Sequence, residues 1–88
     1  MEDNITIHGR IIERHPELSP EDIAHAWGSR IATGYRIAGD TEQTVAVGFD
    51  ARGRMIEMVG ARTSSGEMIV FHAMTPPSTK TMKETRLI

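Results

Sequence analysis

The sequence predicts an α+β domain: two N-terminal helices packed on one face of a three- to four-stranded antiparallel meander, followed by a short C-terminal helix. Three observations predict it. Apolar residues recur at helical spacing before Pro16, a capping pattern begins at Ser19, and after Gly34 the hydrophobic period falls to two.

The first helix is expected between Ile5 and His15, where Ile5, His8, Ile12 and His15, with Ile11 beside them, form a stripe flanked by Arg10, Glu13 and Arg14. Gly9 interrupts the stripe, and Pro16 closes it because a residue before proline is pushed out of the helical region. The second helix has a sharper start in "SPEDIAHAWG": a Ser19 cap, Pro20 at the first helical position, and Asp22 three residues after the cap. Glu21 and Asp22 lie at the positive end of its dipole. Ile23, Ala26 and Trp27 make its buried face, and Gly28 is read as a left-handed stop.

Strands are expected over Thr44 to Phe49, Met55 to Arg62 and Met68 to Met74, with a weaker one from Ile31 to Ile37 ahead of them. "DARG" and "TSSGE" read as tight hairpins in which Gly53 and Gly66 take positive φ. Thr75 or Ser78 caps a last helix, with Pro76 and Pro77 setting its entry. On the last strand Ile69, Phe71 and Ala73 are expected beneath the helices. Met68, Val70, His72 and Met74 then face the other way, with His72 near Glu57 or Arg62 on an open sheet surface.

Composition narrows the function classes. With 88 residues the chain holds one domain over residues 1–88 and one modest core. The absence of cysteine removes disulfide scaffolds, thiolate zinc sites and cysteine nucleophiles. No apolar run approaches the roughly 20 residues of a membrane span. The start "MEDNITIHGR" has no basic segment followed by an apolar one. The expectation is a soluble, cytoplasmic protein with no membrane partner. A net charge of −2 argues against a strongly basic nucleic-acid binder and leaves room for a local basic patch.

The order "HGRIIERHPELSPEDIAHAW", "VAVGFDARGRMIEMV", "MIVFHAMTPPSTKTMKE" resembles the BrnT-like group of the RelE superfamily of bacterial toxins across nearly the whole chain. The resemblance implies a RelE-like fold and a small metal-independent endoribonuclease held silent by a cognate antitoxin. It places Arg54 at the arginine of the family's "GR" hairpin, Glu84 at its closing acid and His15 near the histidine that ends its first helix. Met74 stands where the family ends its last strand in arginine.

RNA cleavage through the ribose 2′-hydroxyl needs a base, a cation for the charge developing on phosphate, and an acid for the leaving oxygen. His72 is the candidate base or acid; Arg54, Arg62 and Lys80 are candidate cations; Glu84 can orient a partner, and His15 can bind substrate.

Each has a plainer alternative. His72 can be a half-buried strand histidine bonded to a backbone carbonyl, Arg54 a solvated hairpin charge, and Lys80, Lys83 and Glu84 the dipole and ion-pair furniture of a short helix. His8 and His15 with His25 or His72 are a weak metal set, since their spacing differs from H-E-x-x-H; no metal and no cofactor are expected. Trp27 and Phe71 read as core anchors.

Two readings of function follow. One is a toxin ribonuclease acting on single-stranded RNA. The other is a catalytically inactive relative that binds a protein partner through Met55, Met58, Met68 and Met74. A homodimer is left open by both.

Overall fold

A five-stranded mixed sheet organises the computed structural model, which describes residues 5–88; the reading of the chain's start bears on residues 1–4, outside the described residues. The elements are β1 (Ile5–Ile7), α1 (Arg10–Arg14), α2 (Pro20–Gly28), β2 (Ala32–Ala38), β3 (Thr41–Phe49), β4 (Met55–Arg62), β5 (Met68–Met74) and α3 (Thr79–Glu84). The spatial order is β1-β5-β4-β3-β2. Strands β2 to β5 form the expected antiparallel meander, with Gly53 (φ 82°) and Gly66 (φ 91°) in two of its turns.

The fifth strand corrects the expected first helix. Ile5 to Ile7 pair in parallel with Met68 to Val70, and the helix begins only at Arg10. The apolar–polar–apolar triplet Ile5-Thr6-Ile7 satisfies period two as well as a helical stripe. An open β5 edge with free backbone groups decides between them.

The second helix forms as its sequence signals require. The Asp22 amide donates to Ser19 Oγ at 3.1 Å and the Ser19 amide to Asp22 Oδ2 at 2.9 Å, a complete capping box. Its end differs from expectation. Gly28 stays within the helix without positive φ, and Ser29 is the cap.

Helices cover both sheet faces, where one was expected. On the first face Ile11, Leu18, Ile23, Ala26 and Trp27 pack against Ala46, Ile56, Met58, Met68, Val70 and Ala73. On the second, α3 lies over β2 and β3, where Val45, Val47, Thr81 and Thr85 are buried, and Val59 of β4 is buried beside them. Ser78 Oγ accepts the Thr81 amide at 3.2 Å, so Ser78 is the cap of α3 and Thr75 is not. Met58 and Met68 are core residues and offer no partner surface.

Two glycines mark where backbones touch. A Cβ on Gly48 would run into the carbonyl of Ala26, so α2 sits directly on β3. Around Gly28 there is open space. Gly48→Ala is expected to lower unfolding stability by about 1–3 kcal/mol through overpacking. Gly28→Ala, in the same helix layer, is expected to raise it by roughly 0.5–1 kcal/mol. Urea denaturation of the two variants beside the parent checks both signs.

Candidate functional site

The site is built on the second sheet face around His72. Strand β5 carries a bulge there: Val59 pairs with His72 and the next residue, Gly60, pairs with Val70, leaving Phe71 unpaired. Phe71 and His72 therefore line the same cleft, together with Val59 of β4. This corrects the expected faces of β5: Met68 and Val70 lie under the helices, and Phe71 leaves the core for the cleft wall.

The cleft has a volume of about 330 Å³, at the small end for a ligand site. Its remaining lining is His8, Arg10, Arg14 and Arg36. Parallel pairing of β1 delivers the first of these: the His8 amide donates to the Val70 carbonyl at 2.9 Å, so the chain turns into α1 beside β5. Arg10 and Arg14 are four apart on α1 and share one side of it. Among the described residues neither makes an ion pair. Two like charges at that spacing destabilise a helix slightly.

His72 is oriented from behind. Its Nε2 lies 2.7 Å from Oε2 of Glu57, a carboxylate whose residue is 4% exposed. The other oxygen of Glu57 accepts the Ser78 amide at 2.7 Å and the Ser78 hydroxyl at 2.9 Å. Burial alone pushes this carboxyl upward. Hydrogen bonds from His72, from the Ser78 amide and from the hydroxyls of Thr81 and Ser78 outweigh it and hold Glu57 down at about 2. An ionised carboxylate only accepts, so Nε2 of His72 carries the proton and Nδ1 is left as the ring's acceptor.

The residues expected at the site separate. His15 stays close, its ring perpendicular to that of His72 with centroids 6.4 Å apart. Glu84 belongs to the rim: it pairs with Arg36 through hydrogen bonds of 2.9 and 2.5 Å, which hold the Glu84 carboxyl below its ordinary range. Lys80 is exposed on α3 and outside the cleft lining.

Arg54 is committed elsewhere. It donates to Asp50 at 2.7 Å, to Asp22 at 3.1 Å and to the Glu17 carbonyl at 3.1 Å, tying the β3–β4 hairpin to the start of α2. Arg62 donates to the Gly66 carbonyl at 2.8 Å and lines a different cleft with Trp27 and Tyr35. His25 faces the Phe49 carbonyl at 3.1 Å.

Sequence reasoning missed Arg10, Arg14 and Arg36 as site residues and Glu57 as the firm partner of His72. The one signal for the first pair was the R-x-x-x-R spacing inside "GRIIER".

The lowered pKa of Glu57 makes a stability statement. Its contribution is present in full above about 4.5, where the same carboxyl in the unfolded chain is also ionised, and is lost as pH falls toward about 2. The size is on the order of 3 kcal/mol. Glu57→Gln is expected to be less stable at neutral pH and to show a flatter loss of stability across that acid window. Chemical denaturation at a series of pH values measures both.

The chain matches no protein-family model, no curated protein and no solved structure, so its function is read from the sequence motifs and the geometry above.

Proposed function

We propose that the His72 cleft binds a phosphodiester of single-stranded RNA and that the protein is a metal-independent endoribonuclease, the toxin of a bacterial toxin–antitoxin pair. The observation that carries this reading is the Glu57-oriented His72 in a cleft ringed by Arg10, Arg14 and Arg36. Guanidinium groups match phosphate oxygens in shape and charge. A histidine held in one tautomer by a buried carboxylate is a positioned proton acceptor. Base and cations are the parts that attack by a 2′-hydroxyl needs. The toxin role and the cognate antitoxin that would occlude the cleft come from the motif resemblance, as does the RelE-like description of the fold; the cytoplasmic setting comes from the composition.

A second reading is favoured by a separate observation. The outer strand β2 and its approach expose Ile31 (51%), Tyr35 (68%) and Ile37 (68%) beside unpaired backbone groups. In this reading the chain is an inactive RelE-like module that takes a partner's strand onto β2.

The purified chain, in chelator, is expected to shorten single-stranded RNA. His72→Gln, which retains a donor toward Glu57, is expected to abolish cleavage. The double change Arg10→Ala and Arg14→Ala is expected to weaken RNA binding at least tenfold and to flatten the log–log salt slope by about 0.7 per lost phosphate contact. Arg54→Ala should lower stability and leave the turnover of folded protein unchanged. Intact RNA and harmless expression of the chain in cells would overturn the nuclease in favour of the partner-binding module.

A further inference from the structure

His72 stands between two clefts. The second, of about 110 Å³, is lined by Arg10, Arg14, Phe71 and His72, which it shares with the first, and by His15. His15 follows α1 as its C-terminal cap, where its amide donates to the Ile11 carbonyl at 2.8 Å and its carbonyl accepts the Leu18 amide at 2.9 Å. The backbone at His15 is thus pinned on both sides. Its Nδ1 lies 3.5 Å from Glu17 Oε2, so each of the two histidines has a carboxylate behind it. Both rings are accessible, with side-chain exposures of 31% for His15 and 37% for His72.

We propose that His15 is a second catalytic residue, the general acid that protonates the leaving oxygen while His72 acts as base. The inference rests on the ribonuclease reading and completes its chemistry. A base and an acid serving one in-line displacement stand on either side of the phosphorus, each within about 3 Å of its own oxygen. Rings centred 6.4 Å apart and perpendicular, with Arg10 and Arg14 shared between their clefts, are close enough for both to reach one phosphate.

The assignment of roles follows from the hydrogen bonds. His72 Nε2–H is held by Glu57, so Nδ1 takes the proton of the ribose 2′-hydroxyl. The 2′-oxygen then forms a bond to phosphorus and the bond from phosphorus to the 5′-oxygen breaks. A proton from the Nε2 side of a protonated His15, whose Nδ1 side is paired with Glu17, passes to that departing oxygen. The products are a 2′,3′-cyclic phosphate and a free 5′-hydroxyl, with no water, oxidant or metal consumed.

Two substrates separate an acid from a structural histidine. One is an RNA dinucleotide, whose alkoxide leaving group needs a proton. The other is a nucleoside 3′-phosphate ester of para-nitrophenol, whose leaving group needs none. His15→Ala and His15→Gln are expected to slow the dinucleotide by about 10²–10⁴-fold and the nitrophenyl ester by less than about tenfold. His72→Gln is expected to lose both. Binding of an uncleavable 2′-deoxy oligonucleotide by the His15 variants should stay within about threefold of the parent.

Equal losses on the two esters, or none on either, would overturn the role of His15 while leaving the nuclease in place. A parent protein that turns over neither ester would remove the ribonuclease reading itself. If His15→Ala disturbs the α1–α2 turn by circular dichroism, the His15→Gln pair of rates decides.

Discussion

Glu57 is the interaction on which the second sheet face depends. A carboxylate in the middle of β4, opposite Val47 on one side and Met74 on the other, is expensive to bury unless its oxygens are satisfied. Here one oxygen reaches across to β5 and the other takes the amide and hydroxyl of the residue that caps α3. The same group therefore fixes the ring of His72 and docks the start of the last helix. That helix in turn packs on β2 and β3, where Val45 and Val47 are buried, so apolar burial and the orientation of the imidazole share one anchor. Arg36 and Glu84 fasten the other end of α3 to β2.

The distribution of charge explains how a chain of net charge −2 presents a cationic cleft. Arg54 is enclosed by Asp50, Asp22 and a carbonyl, and the Asp50 carboxylate also accepts the amides of Arg52 and Arg54 at 2.9 and 2.8 Å. Arg36 is balanced by Glu84. What remains unneutralised at the cleft is the pair on α1. Asp22, Asp50 and Glu84 are committed to Arg52, Arg54 and Arg36, and among the described residues Arg10 and Arg14 have no such partner, so the local charge at the cleft differs from the net charge.

How much of this was legible depends on whether the signal was local. The bounds of β4 and β5, the capping box at Ser19, the hairpins at Gly53 and Gly66 and the cap at Ser78 were readable because each is decided by a few adjacent residues. So was the exclusion of His72 from the core cluster, although α1 lies beside it where an open surface was expected. The strand at Ile5 was not, because three residues fit two periods and a parallel partner more than sixty positions away makes the choice. Arg10 and Arg14 were read as flanks of a longer helix, and that error hid their approach to β5. Arg54 was misplaced for a related reason: its carboxylate partners come from an adjoining turn and a distant helix, and spacing along the chain shows neither.

The orientation of His72 also depended on a feature that sequence periodicity conceals. Met68 and Val70 are core residues under α1 and α2, and uninterrupted alternation would send His72 into that core with them. It does not go there, because the bulge between Val59 and Gly60 adds one residue to β5 and resets the parity, so Ala73 takes the next core position. Gly60 permits this: a Cβ there would meet the sulfur of Met68 and the carbonyl of Ile69. The face expected for His72 was therefore right on a pattern whose first half was inverted. A one-residue irregularity turns an otherwise buried strand position into the wall of a cleft, brings Phe71 beside it and leaves the imidazole within reach of Glu57 behind and the α1 arginines in front.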